Sequence, residues 1–130
     1  MMITSPYEKY RQSAVSTSSP SQLLLMLYDG AIRFGRAALE GIDTADYSGL
    51  SINVGKARAI IKELSNTLDS SYEVSAGLKS MYEYIDHLFT ETNINKSKTA
   101  GEEAIGYLME LRQTFAQAAK MSAGQTQQHG

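Results

Sequence analysis

From Ser21 onward, apolar residues recur at alternating intervals of three and four with no proline among them. That spacing lays one face of an α-helix against a core. The chain therefore reads as long helices joined by short polar links. The first helix opens at Ser19-Pro20-Ser21-Gln22, where Ser19 suits the N-cap, Pro20 suits the first helical position and Gln22 completes a capping box. Leu24, Leu27, Ala31, Phe34 and Ala38 form one stripe, and Leu25, Tyr28, Ile32, Gly35 and Leu39 form a second beside it. The doubled stripe is about twice the width of a coiled-coil seam, so part of it, with Tyr28 the best case, is expected to stay uncovered. Gly41 is the expected end of this helix.

After Asp43-Thr44-Ala45-Asp46, a link rich in capping residues, Tyr47, Leu50, Val54, Ala57, Ile61, Leu64 and Leu68 hold the spacing unbroken. Asp69-Ser70-Ser71 interrupts it. Val74, Leu78, Met81, Ile85 and Leu88 begin a third row, with Tyr82 and Phe89 on an adjacent stripe. The polar stretch from Asn93 to Lys98 should end that helix, and Thr99 with Glu102 offers a capping box for a fourth. Ala104, Leu108, Leu111, Phe115 and Ala118 line its buried face, with Ile105 and Met109 beside them. Short links make neighbouring helices antiparallel. The expected fold is all-α, an up-down-up-down four-helix bundle over residues 19–121. An N-terminal arm or short helix, residues 1–18, precedes it, and a tail without apolar anchors, residues 122–130, is expected to be disordered.

Composition narrows the function. A chain of 130 residues fits one domain, and the absence of cysteine excludes thiol catalysis, cysteine zinc sites and disulfides. A net charge of −2 without a Lys/Arg run gives no electrostatic ground for nucleic acid or an anionic membrane as the main partner. The longest apolar run, Leu23 through Tyr28, falls far short of the roughly 20 residues of a membrane span, so no membrane insertion is expected. The first residues lack the pattern of a secretory signal, and the expectation is a protein that stays in the cytoplasm.

Candidate chemistry is sparse. His129 lies in the tail, leaving His87 with Glu83 and Asp86 as one possible ligand pair and no second, so neither a metal nor another cofactor is expected. Gly30 and Gly35 imitate the glycine spacing of a phosphate-binding loop, but Arg36 and Ala37 stand where lysine and Ser/Thr are needed and no strand precedes them. No serine has a visible activating base. The chain is not expected to be an enzyme. Its eight tyrosines, without any tryptophan, suit amphipathic edges where the ring buries and the hydroxyl stays wet. Tyr7 and Tyr10, one helical turn apart in the arm with Ile3 upstream, suggest either permanent packing or a detachable cover.

Tyr7 and Tyr10 ahead of Ser19-Pro20, then Leu23-Leu24-Leu25-Met26-Leu27-Tyr28-Asp29-Gly30-Ala31-Ile32, resemble the opening of the bacterial flagellar export chaperones of the FliS family. Lys56 through Leu64 with Leu68-Asp69 is similar to the family's second helix, and Leu78 through Tyr84 to its third. Phe115 stands where many members carry tryptophan. The resemblance implies a cytoplasmic chaperone that binds the disordered C-terminal segment of flagellin, stops premature polymerisation and presents the client to the type III export apparatus, with an export-gate component as a further partner. It also implies that the arm covers part of the client groove when no client is bound. The candidate partner-binding residues are Tyr7 and Tyr10 in the arm and Leu25, Tyr28, Ile32, Ile60, Leu64, Met81 and Tyr84 in the groove, where client helices would lie. The rival reading is a self-associating structural or adaptor bundle.

Overall fold

A computed structural model describes the backbone of residues 19–129 and the side chains of residues 19–122. Four helices follow one another: α1 (Pro20–Asp43), α2 (Tyr47–Asn66), α3 (Val74–Ile94) and α4 (Lys98–His129). α1 and α3 each pack against both α2 and α4, while the diagonal contact between α1 and α3 is slight. The helices thus close into a ring in chain order. Direction follows from two ion pairs: stepping along α1 from Asp29 to Asp43 is stepping back along α4 from Arg112 to Lys98. Links of residues 44–46, 67–73 and 95–97 complete the antiparallel up-down-up-down bundle.

Local chemistry sets the helix starts. Ser19 Oγ accepts from the Gln22 amide at 3.3 Å while Gln22 Oε1 accepts from the Ser19 amide at 3.4 Å, as the capping box requires. Asp46 caps α2 by accepting from the Gly49 amide at 2.9 Å. α4 begins earlier than its sequence signal. Ser97 Oγ accepts from the Ala100 amide at 3.1 Å, so Ser97 does the capping expected of Thr99.

α1 passes through Gly41 and ends at Asp43. Gly41 is buried because the next helix folds back onto it: a Cβ there would meet the Asp46 carbonyl oxygen at 2.9 Å and the Leu50 amide nitrogen at 3.0 Å. Close approach, not helix termination, accounts for this glycine. At the other terminus the helical backbone of α4 runs to His129.

The core holds Leu27, Tyr28, Leu50, Ile60, Ile61, Leu64, Tyr82, Ile85, Phe89 and Leu108, each at most 2% exposed. Among the described residues every buried side-chain nitrogen or oxygen has a hydrogen-bond partner. The doubled stripe of α1 is explained by geometry: one half faces α2 and the other faces α4, so the width serves two neighbours and leaves no open strip at Tyr28. Among the described residues, no helix is long and apolar enough to cross a membrane.

Candidate client-binding surface

The deepest polar feature is a tyrosine pair. Tyr28 of α1 and Tyr82 of α3 share a hydrogen bond between their hydroxyls across the bundle diagonal, with exposures of 0% and 2%. Burial, and then the neighbouring Tyr82 hydroxyl, pushes the Tyr28 phenol far above its ordinary range, and burial raises that of Tyr82. Both phenols are therefore neutral fixtures of the core. The Tyr28 ring stacks on Phe115 of α4, with centroids 5.8 Å apart and planes at 19°.

Phe115 marks the point where burial fails. Along α1 the fully buried side chains begin at Leu27, and Leu23, Leu24, Leu25 and Met26 before it are half-buried. Along α4 they stop at Leu108, and Leu111 and Phe115 are half-buried. α3 begins level with α1, because Tyr28 meets Tyr82 and Gly35 lies against Phe89 at the same stagger that separates Pro20 from Val74. α2 ends at Asn66, about one turn short of that level, since Lys56 lies beside Phe34 and Leu50 beside Gly41. Only α4 runs on past it. Leu68, Leu78 and Met81 rim the opening and pack against the core as partly buried side chains. This end of the bundle is an open apolar slot rimmed by half-buried side chains of α1, α3 and α4.

A second concavity, about 450 Å³, lies between α2 and α3 with Ile61 and Tyr82 in its lining. Arg58 straps it, donating from Nε to Asp86 Oδ1 at 2.8 Å and from Nη2 to Oδ2 at 3.3 Å.

The expected groove residues divide on this geometry. Leu25 and Met81 are half-buried at or beside the open end, and Tyr84 is 44% exposed but sits on the seam of α3 and α4. Tyr28, Ile32, Ile60 and Leu64, expected in the groove, are buried in the core with at most 6% exposure. Helical spacing shows which residues share a face, but not which of two neighbours covers it. Tyr7 and Tyr10 lie outside the described residues. Sequence reasoning missed Leu23, Leu111 and Phe115 as surface candidates, because helical spacing does not show where cover stops along a stripe.

Two of the candidate metal ligands have other partners. Asp86 is engaged by Arg58 and His87 stacks on Tyr84. Among the described residues no three His, Cys, Asp or Glu side chains converge. Gly30 and Gly35 are buried within α1, and a Cβ on Gly35 would stand 3.0 Å from Ile105 and 3.1 Å from Phe89, so Gly35 admits neighbouring side chains where a phosphate loop was imitated.

Residues 3–122 match the profile of the family described as flagellar protein FliS. The chain belongs to the FliS family. It is 36% identical over 118 residues to the flagellar secretion chaperone FliS of Bacillus subtilis (strain 168), covering 91% of this chain and 89% of the relative. It is 32% identical over 101 residues to the FliS of Campylobacter jejuni subsp. jejuni serotype O:6, covering 76% and 79%. The FliS of Salmonella typhimurium is 29% identical over 109 residues, covering 82% and 81%. FliS membership agrees with the helical blocks from which the resemblance was drawn, and the matched range takes in Tyr7 and Tyr10.

Proposed function

We propose that this FliS-family chain is a cytoplasmic export chaperone that holds the disordered C-terminal segment of flagellin, keeps it from polymerising and delivers it to the flagellar type III export apparatus. The observation that carries this reading is the apolar slot at the open end of the bundle. A client segment laying an amphipathic helix there would cover Leu24, Leu25, Met81, Leu111 and Phe115 and supply the neighbour that these half-buried side chains lack. Apolar burial offsets the entropy of ordering the client. Residues 1–18 join the bundle at this end, so Tyr7 and Tyr10 are within reach of the slot and serve as its cover until a client arrives. Tyr28, Ile32, Ile60 and Leu64 shape the site from below. An export-gate component is the proposed second partner. Being named flagellar secretion chaperones, the relatives favour this reading.

The test is a calorimetric titration with the isolated flagellin C-terminal segment at several temperatures, with circular dichroism in parallel. The expected result is a negative heat-capacity change, a gain of helix, and a loss of affinity of roughly 10–100-fold for Leu24→Asp in a folded protein. Residues 12–28 carry no charge. The affinity should therefore change little between low and high salt. Absence of binding by both the intact chain and one lacking residues 1–18 would overturn the reading, and concentration-dependent light scattering of the free chain would then favour the self-associating bundle.

A further inference from the structure

Four seams run along the bundle, and three of them place a cation on the aromatic rings or carboxylates they expose. Between α1 and α2, Arg33 and Lys56 sit 5.1 and 5.4 Å from the centre of the Phe34 ring. Between α2 and α3, Arg58 holds Asp86. Between α4 and α1, Arg112 holds Asp29 and Lys98 holds Asp43. The links follow the same pattern, with Lys96 at 5.1 Å from the Tyr47 ring centre.

The seam of α3 and α4 departs from it. Here Tyr84 donates from its hydroxyl to Glu103 at 2.8 Å, meets Tyr107 edge-on at 5.9 Å and stacks on His87 at 6.4 Å. Glu103, then burial and then the neighbouring Glu110 hold the Tyr107 phenol above its ordinary range, and the hydrogen bond to Glu103 does the same for Tyr84. Among the described residues, no lysine or arginine contacts these rings or Glu103. Lys98 and Arg112 of the same helix turn toward α1, Lys79 lines the cavity at the α2–α3 link, and Lys120 lies about three turns beyond Glu110. A neutral phenol stands where the other seams place a cation.

We infer that the α3–α4 seam docks a partner protein through a segment bearing arginine or lysine side chains, whose cations pack on Tyr84 and Tyr107 and pair with Glu103 and Glu110. The charge complementarity is specific in spacing. Glu103 and Glu110 are two helical turns apart, about 10 Å, which matches cations two turns apart on a partner helix. Partly exposed rings beside carboxylates attract a cation by both the ring quadrupole and Coulomb attraction. This surface is separate from the uncharged slot at the open end, so client and cationic partner would occupy the chaperone together.

The test uses the full chain, nitrogen-labelled for NMR, and an alanine-based helical peptide with two arginines two turns apart. Amide shifts should centre on Tyr84, His87, Glu103 and Tyr107, and binding should weaken with salt. The Glu103→Gln/Glu110→Gln variant should bind about fivefold or more weakly, as expected from losing two exposed charge pairs. Glu40→Gln/Glu63→Gln removes the same charge elsewhere and should change affinity less than about twofold. Tyr84→Phe keeps the ring, loses only the bond to Glu103, and should still bind; it serves if the double variant loses its folded spectrum. Shifts centred elsewhere, or equal weakening by the two charge variants, would overturn the proposal. So would movement of the seam resonances on Lys9→Gln/Arg11→Gln without peptide, which would make residues 1–18 the occupant.

Discussion

At the end of the bundle where α1 turns into α2 and α3 into α4, burial persists almost to the links: Ala38 and Gly41 on α1, Leu50 on α2, Thr92 on α3 and Gly101 on α4 are all buried. At the opposite end it fades about two turns before α1 begins, and the link between α2 and α3 leaves Tyr72 and Val74 65% and 66% exposed. The two ends use similar side chains, leucine, alanine and phenylalanine, so composition does not distinguish them. Cover does. At the closed end each apolar stripe finds two neighbours; at the open end α2 stops about one turn short of α1 and α4 runs past the rest, so the same stripe is left half-covered. The closed end supplies stability, and the open end supplies apolar area that only a further segment can bury.

The largest effect that separates the ends comes from one truncation made at each. Phe89 is fully buried and touches the Gly35 approach, so Phe89→Ala should cost about 3–5 kcal/mol in urea denaturation. Phe115→Ala removes the same group from a half-buried position and should cost about 1–2 kcal/mol, while weakening flagellin-segment binding. Equal losses of stability would break the comparison, since they would mean that Phe115 belongs to a closed core.

This contrast also shows why the fold was more legible than the site. The spacing of Leu50, Val54, Ala57, Ile61 and Leu64 identifies a buried face without knowledge of what covers it, and all of these residues are buried. Placing the surface needs the lateral register of four helices, which the ion pairs of Asp29 and Asp43 with α4 define and local spacing does not. Tyr28 illustrates the limit. An amphipathic ring on a wide stripe reads as an edge residue, but a partner hydroxyl far along the chain, on Tyr82, lets it bury completely. The caps of α1 and α2 were legible because their signals span a few residues. The α4 cap was misplaced by two residues because Ser97 and Thr99 offer the same chemistry.

The tyrosine pair sits at the boundary between the ends, beneath Phe115, and sharpens the comparison next. Tyr28→Phe leaves the Tyr82 hydroxyl buried without its partner and should cost about 1–3 kcal/mol. Tyr28→Phe/Tyr82→Phe removes both hydroxyls and should recover most of that loss, because neither polar group is then left unpaired. A complete double-mutant cycle by chemical denaturation measures the coupling. If the single variant cost nothing, water would already be reaching this level, and the boundary between closed and open ends would have to move deeper into the bundle.

The smallest effect is an alkaline one. In the unfolded chain a tyrosine ionises near pH 10, whereas burial holds the folded Tyr28 phenol far above that value. The folded state therefore binds the proton more tightly. Its contribution is complete below about pH 10 and is lost as pH rises further, at up to about 1.4 kcal/mol per pH unit for each such phenol. Tyr82 adds to the slope in the same direction. Urea midpoints measured at rising pH should fall more steeply for the native sequence than for Tyr28→Phe/Tyr82→Phe, and ultraviolet titration should show two phenols ionising only with unfolding. Tyr84 and Tyr107 titrate on the surface without waiting for it, because what raises them is mainly their contact with Glu103 and not enclosure. If Tyr28 ionised in the folded protein along with them, solvent would be entering through the open end past Phe115, and the slot would extend into what is now counted as core.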